Sequence, residues 1–141
     1  DRVIKWLRRR LKRAADENIS NLKFSCMEAQ GFIPNIAPDS VNIFHIYFPD
    51  PWPKRRHHSR RLIDEKFLTL LLEKTAPGGS IYLATDDSDY FKQMQKSAAL
   101  LKGEFESRLS HERMIGPIKT TYETKFASAG LILNYMEIKK K

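Results

Sequence analysis

Between Val41 and Arg61 the chain passes from an apolar run, through a turn it cannot bend freely, into dense positive charge. Val41 to Phe48 is nearly continuous in apolar, β-branched and aromatic residues, the pattern of a strand covered on both faces. The run stops at Pro49-Asp50-Pro51-Trp52-Pro53. Proline fixes its own φ and disfavours helix at the residue before it, so these positions predict a stiff, extended turn. Five Lys/Arg residues and two histidines then fall within eight positions, from Lys54 to Arg61. One acid and an aromatic plane beside such a run suit chemistry on a base within a polyanion. A rigid surface turn leading into a solvated helix start is the plainer reading of the same residues.

The whole chain is basic as well, with 25 Lys/Arg against 17 Asp/Glu and a formal net charge of +8. That balance favours an acidic partner, nucleic acid first and an anionic membrane surface second. With 141 residues, 41% hydrophobic and 11% aromatic, the expectation is one globular domain spanning 1–141. No apolar run approaches the ~20 residues of a membrane span, and no signal peptide is expected. The single cysteine, Cys26, excludes an internal disulfide, and a reduced cytoplasmic protein is the simplest expectation.

Helices and strands alternate along the chain. Val3, Leu7, Leu11 and Ala14 recur at helical spacing, which predicts one core-facing stripe; Arg2, Lys5, Arg8, Arg9, Arg10, Lys12 and Arg13 fill the other faces. Asn21 to Cys26 reads as a short buried strand followed by Met27-Glu28-Ala29, and a thiol placed there would be inert. A helix is expected from Arg61 to Thr75, ended by Pro77-Gly78-Gly79, then a buried strand from Ser80 to Ala84 closing on Thr85-Asp86-Asp87-Ser88. The next helix turns Tyr90, Met94, Ala98 and Leu101 inward, with Gly103 as its C-terminal cap. Phe105 to Leu109 and Leu131 to Ile138 read as closing strands, antiparallel to each other or to the sheet. The expected fold is α/β, an open and mostly parallel sheet with helices on both faces. Ligands of such sheets bind outside the carboxyl ends of the strands, where Glu28, Asp50 and Asp86 would line one rim.

Phe48-Pro49-Asp50-Pro51-Trp52-Pro53-Lys54-Arg55-Arg56-His57, with Arg60-Arg61-Leu62, resembles the signature of the tRNA (guanine-N7)-methyltransferase family. Thr85-Asp86 with Tyr90 and Met94 resembles that family's acid after the fifth strand, and Thr120-Thr121-Tyr122-Glu123-Thr124-Lys125-Phe126 resembles its C-terminal Thr-x-aromatic-Glu segment. The resemblance implies a Rossmann-like, S-adenosylmethionine-dependent methyltransferase fold and methylation of N7 of a guanine in the tRNA variable loop. It implies that Asp50 is the catalytic acid, and that Glu28 and Asp50 hold the cofactor. Lys54, Asp86, Thr120 and Glu123 match substrate-contacting positions. The family opens with a strand, a Gly-rich loop and a second strand, and none of the six glycines here forms a Gly-x-Gly loop. An incomplete N-terminus, with Asp1 at the helix after the second strand, is therefore expected, leaving a sheet edge or face uncovered.

Guanine N7 offers a lone pair and has no proton to lose, so attack on a sulfonium methyl needs no general base. The product ring is positively charged, and negative potential with strict alignment is what helps. Asp50, Asp86 and Glu123 suit those electrostatic and orienting roles. Lys54, Arg55, Arg56, Arg60 and Arg61 would hold flanking phosphates, with Ser59, His57 and His58 as secondary donors. Trp52 either stacks on an extruded base or anchors the turn by packing. No metal site is expected, because His57 and His58 have no companion ligands at suitable spacing. Two other functions fit a basic α/β chain: a non-catalytic tRNA-binding module that has lost its cofactor, and a subunit whose charge serves assembly. The composition leaves the oligomeric state open.

Overall fold

The computed structural model describes residues 2–141, the Arg2 side chain excepted, so the expectation about Asp1 lies outside the described residues. Two compact units divide the chain, 1–32 and 33–141.

The first unit holds α1 (Arg2–Asp16) and the one-turn helix α2 (Ala29–Phe32). The expected periodicity of α1 is present, but its apolar stripe is not covered. Val3 and Leu11 are exposed, Leu7 is half-buried, and of the four expected residues only Ala14 is buried. The basic face is solvated, with Arg13 paired to Glu17 at 2.7 Å and Arg10 lying 5.3 Å over the Trp6 ring. Asn21 to Cys26 forms no strand, which corrects that expectation. Cys26 is consequently exposed, which corrects the expectation of a buried thiol.

The second unit is a four-stranded sheet in the order β1-β2-β4-β3, built from β1 (Val41–Tyr47), β2 (Thr75–Thr85), β3 (Phe105–Ser110) and β4 (Asn134–Lys140). β1 and β2 are parallel; β4 runs antiparallel to both β2 and β3. The α/β class stands, with a mixed sheet. Period-two alternation sorts the faces. Phe44 and Ile46 register with Ile81 and Leu83, which register in turn with Ile138 and Met136, forming the apolar face. The helices α3 (Glu65–Lys74) and α4 (Ser88–Ala99) lie against β2, burying Phe67, Leu68, Leu71, Tyr90 and Met94. His45 and Tyr82 occupy the opposite face, where their rings stack at 5.7 Å. As an edge strand, β1 is not covered on both sides as expected: Ile43 is 44% exposed.

Side chains set the helix boundaries. α3 starts later than expected, because Asp64 caps it by accepting from the Phe67 N–H at 2.8 Å. Residues 61–64 stay outside it, and a 3-10 turn, Arg55–Arg60, precedes them. The helix ends at Lys74, and Pro77-Gly78-Gly79 belongs to an irregular opening of β2. There the register jumps from Val41↔Thr75 to Ile43↔Ser80. Gly79 is required, since a Cβ would stand 2.7 Å from the Asn42 carbonyl oxygen. Asp87 caps α4, and its C-cap is Leu100, so Gly103 lies in the following loop rather than at the cap.

Candidate functional site

Chain direction gathers the site at one end of the second unit. Tyr47 registers with Ala84, Ala84 with Tyr135, and Tyr135 with Ser110. The carboxyl ends of β1, β2 and β3 and the start of β4 therefore lie side by side. Asp50 follows β1 and Asp86 follows β2, so these two acids share the rim expected of such a sheet. Glu28 does not join them as a third strand end. It belongs to the first unit, is exposed, and its carbonyl accepts from Gly31 and Phe32 at the start of α2.

The turn around Asp50 is not simply extended. Phe48 and Trp52, each directly before a proline, adopt the left-handed region with φ of 54° and 45°. Such values cost a non-glycine residue on the order of 1–3 kcal/mol and are sustained only by surrounding contacts. Those contacts are present. The Phe48 N–H donates to the Ala84 carbonyl at 2.8 Å, and its ring meets Phe126 edge-on at 5.3 Å and Tyr122 at 6.1 Å. Trp52 is half-buried, with the Arg60 guanidinium 5.1 Å over its ring and His57 edge-on at 5.8 Å. One face of its ring is therefore covered by protein. Asp50 projects from this braced turn, exposed and without a side-chain partner among the described residues.

The α5 helix (Thr121–Ser128) docks beside the turn through Tyr122 and Phe126. Thr120 and Glu123 form its capping box. The Thr120 hydroxyl accepts from the Glu123 N–H at 3.1 Å, and Glu123 Oε2 accepts from the Thr120 N–H at 2.5 Å. Glu123 Oε1 pairs with Arg113 and also accepts from the Tyr135 hydroxyl at 3.0 Å. Only 1% of Glu123 is exposed. Burial pushes its pKa up, but the bonds from Thr120, Arg113 and Tyr135 outweigh that and hold it below the usual carboxylate range. Burial and the Glu123 charge together push the Tyr135 phenol upward. Arg113 also lies 5.5 Å over Tyr47, at the end of β1. The expected substrate acid Glu123 is thus held by the protein itself, whereas Asp50 and half-buried Asp86 are not.

The basic run divides in the same way. Lys54, Arg55, Arg56 and Arg60 are exposed. Arg61 is 4% exposed, which corrects its expected role as a phosphate contact. Its guanidinium donates to the Pro51 carbonyl at 2.7 Å, to Gln93 Oε1 at 2.8 Å and to Asp89 Oδ2 at 2.8 Å. Sequence reasoning missed Arg113, Tyr135, Asp89 and Gln93, because each acts through a partner 10 to 32 residues away. It also missed Lys92 and Lys96, which line a cavity with His58. Helical spacing along α4 could have found that pair. Among the described residues no group of His, Cys, Asp and Glu could hold a metal ion, and no helix is long and apolar enough to cross a membrane.

A family model described as a putative methyltransferase matches residues 2–133. The chain is 40% identical over 126 residues to a tRNA (guanine-N(7)-)-methyltransferase of Bordetella pertussis, covering 89% of this chain and 48% of that protein. It is 32% identical to the enzyme of that name from Rubrobacter xylanophilus, covering 98% of this chain and 63% of the relative. This chain belongs to the tRNA (guanine-N7)-methyltransferase family. It spans roughly half to two thirds of the length of these relatives. In fold it is similar to an rRNA methylase from Streptococcus thermophilus, with a TM-score of 0.57 at 12% identity over 92% of this chain and 63% of the other. A protein described as a putative DNA modification methylase, from Thermus thermophilus and in complex with S-adenosyl-L-methionine, gives a TM-score of 0.51 at 12% identity, over 80% of this chain and 52% of that one. These likenesses establish a methyltransferase-like α/β fold.

Proposed function

We propose that the protein carrying this chain transfers a methyl group from S-adenosylmethionine to N7 of a guanine in the tRNA variable loop, and that Asp50 is the acid beside the reacting base. The observation that carries this reading is the pair of unspent carboxylates, Asp50 and Asp86, at the ends of adjacent parallel strands. An exposed basic run starts four residues after Asp50. A protein that only bound phosphates would gain nothing from free acids at that rim.

Asp50 and Asp86 place negative potential where the methylated ring becomes cationic, and a carboxylate can accept from guanine N1–H and the 2-amino group together. No proton leaves N7, so neither acid has to act as a base. Lys54, Arg55, Arg56 and Arg60 hold the flanking phosphates. Thr120 and Glu123 contribute by capping α5 beside the turn, and direct contact of either with the base would require part of that network to open. For the methyl donor, Glu28 and Asp50 are each chemically suitable by themselves: both are exposed, and among the described residues neither carboxylate has a side-chain partner. The cofactor supplies an electron-poor methyl group. The reading places the protein with its RNA in the cytoplasm.

The test is methyl transfer from labelled S-adenosylmethionine to unmodified tRNA, with nucleoside digestion. Label in 7-methylguanosine that disappears with Asp50→Ala supports the assignment. Salt-sensitive tRNA binding without any label, from the complete protein, would overturn it in favour of a binding module.

A further inference from the structure

Arg61 is the one member of the basic run whose charge is withdrawn from solvent, and its contacts explain where that charge goes. Burying a guanidinium is costly unless its donors are met and its charge balanced. Here Nε donates to the Pro51 carbonyl, Nη1 to Gln93 and Nη2 to Asp89. The plane of the group lies 4.8 Å over the Tyr90 ring, whose hydroxyl accepts from the Ile63 N–H at 2.8 Å. The Gln93 amide returns to the Ile63 carbonyl at 3.3 Å. Thus the first turns of α4 and the carbonyl one residue past Asp50 meet in one guanidinium, and Tyr90 and Gln93 extend the link to Ile63 ahead of α3.

We propose that Arg61 is a positioning residue that fastens the Asp50 turn to α4, and that it contributes nothing to phosphate binding. The fork geometry matters, because Nε, Nη1 and Nη2 each reach a different acceptor, whereas the three donors of an ammonium all leave one nitrogen. Pro51 sits between Asp50 and Trp52, so releasing its carbonyl frees both neighbours. The consequence for turnover rests on the methyl-transfer reading above; the consequence for the turn's position does not.

Trp52 supplies a reporter of position. In a Trp6→Phe background it is the remaining tryptophan of these 141 residues, and its quenching by acrylamide reads the exposure of the turn. Arg61→Gln is expected to raise quenching while far-UV circular dichroism stays unchanged, and Arg61→Lys is expected to recover part of the protection. In tRNA-binding titrations Arg61→Gln leaves the slope of log K against log salt unchanged, whereas Arg55→Gln reduces its magnitude by about 0.7–0.9. In the complete protein, Arg61→Lys lowers kcat by about 10–100-fold, the cost of a turn misplaced in most molecules, with KM for tRNA little changed. If Arg61→Gln does not fold, Asp89→Asn and Gln93→Ala loosen the same clamp from α4 and are expected to raise quenching. Unchanged quenching in all folded variants, or a salt slope reduced by Arg61→Gln as much as by Arg55→Gln, would overturn the proposal. A wild-type protein that methylates no tRNA but shows the quenching response would remove the proposed function and leave the clamp standing.

Discussion

Asp50 and Glu123 are both acids from the family signature, yet the protein treats them oppositely. Asp50 is free, so Asp50→Asn is expected to change stability by no more than about 0.5 kcal/mol. In the methyl-transfer assay the same variant is expected to lose roughly 10²–10³ in kcat, the scale of a removed electrostatic stabiliser. Equal melting temperature with unequal turnover is the signature to look for. Glu123 is committed, and Glu123→Gln is expected to cost on the order of 2–3 kcal/mol, because it weakens charge-assisted bonds and leaves Arg113 short of a counter-charge. A carboxylate held below its unfolded pKa stabilises the fold at pH above the unfolded value and ceases to do so as pH falls through the folded one. The raised Tyr135 phenol adds stability below its unfolded pKa near ~10 that is lost as pH rises further. Melting temperature against pH should therefore fall at both ends, with the acid limb reduced by Glu123→Gln, since Asp89 is also held below its usual range by Arg61. Sequence could nominate these residues but not separate the free acid from the spent one. Arg61 shows the same limit, since its partners Asp89 and Gln93 lie 28 and 32 positions away.

Periodicity made α3 and α4 legible, and the inward positions Tyr90, Met94, Ala98 and Leu101 are all buried. β1 and the core of β2 were legible from apolar runs of suitable length. Failures came where an element depends on a neighbour. Asn21 to Cys26 has strand composition but forms no strand, and the α1 stripe has helical spacing while Val3 and Leu11 are exposed. Pro77-Gly78-Gly79 looked like a helix stop, whereas Gly79 serves the close approach of β2 to the Asn42 carbonyl. Gly79→Ala is expected to destabilise by about 1–3 kcal/mol, as overpacking does, measured by chemical unfolding. Thr120→Ala removes one half of the α5 capping box and is expected to cost about 1 kcal/mol. Both variants test elements rather than chemistry.

Across the molecule the net charge of +8 is distributed over the α1 faces and the run after Asp50. Affinity for tRNA is therefore expected to fall steeply as salt rises, while a substitution of the uncharged Trp52 should leave the salt slope alone. Composition pointed to the polyanion; family likeness supplied the reaction.

The left-handed backbone at Phe48 and Trp52 has a consequence for how the site can fail. Left-handed and extended conformations are separate basins for an L-residue before proline, with little allowed ground between them. The stretch carrying Asp50 is consequently expected to behave as a two-position latch. Damage to its bracing should appear as a shrinking fraction of properly set molecules, each still working at full speed, rather than as a whole population slowed by degrees.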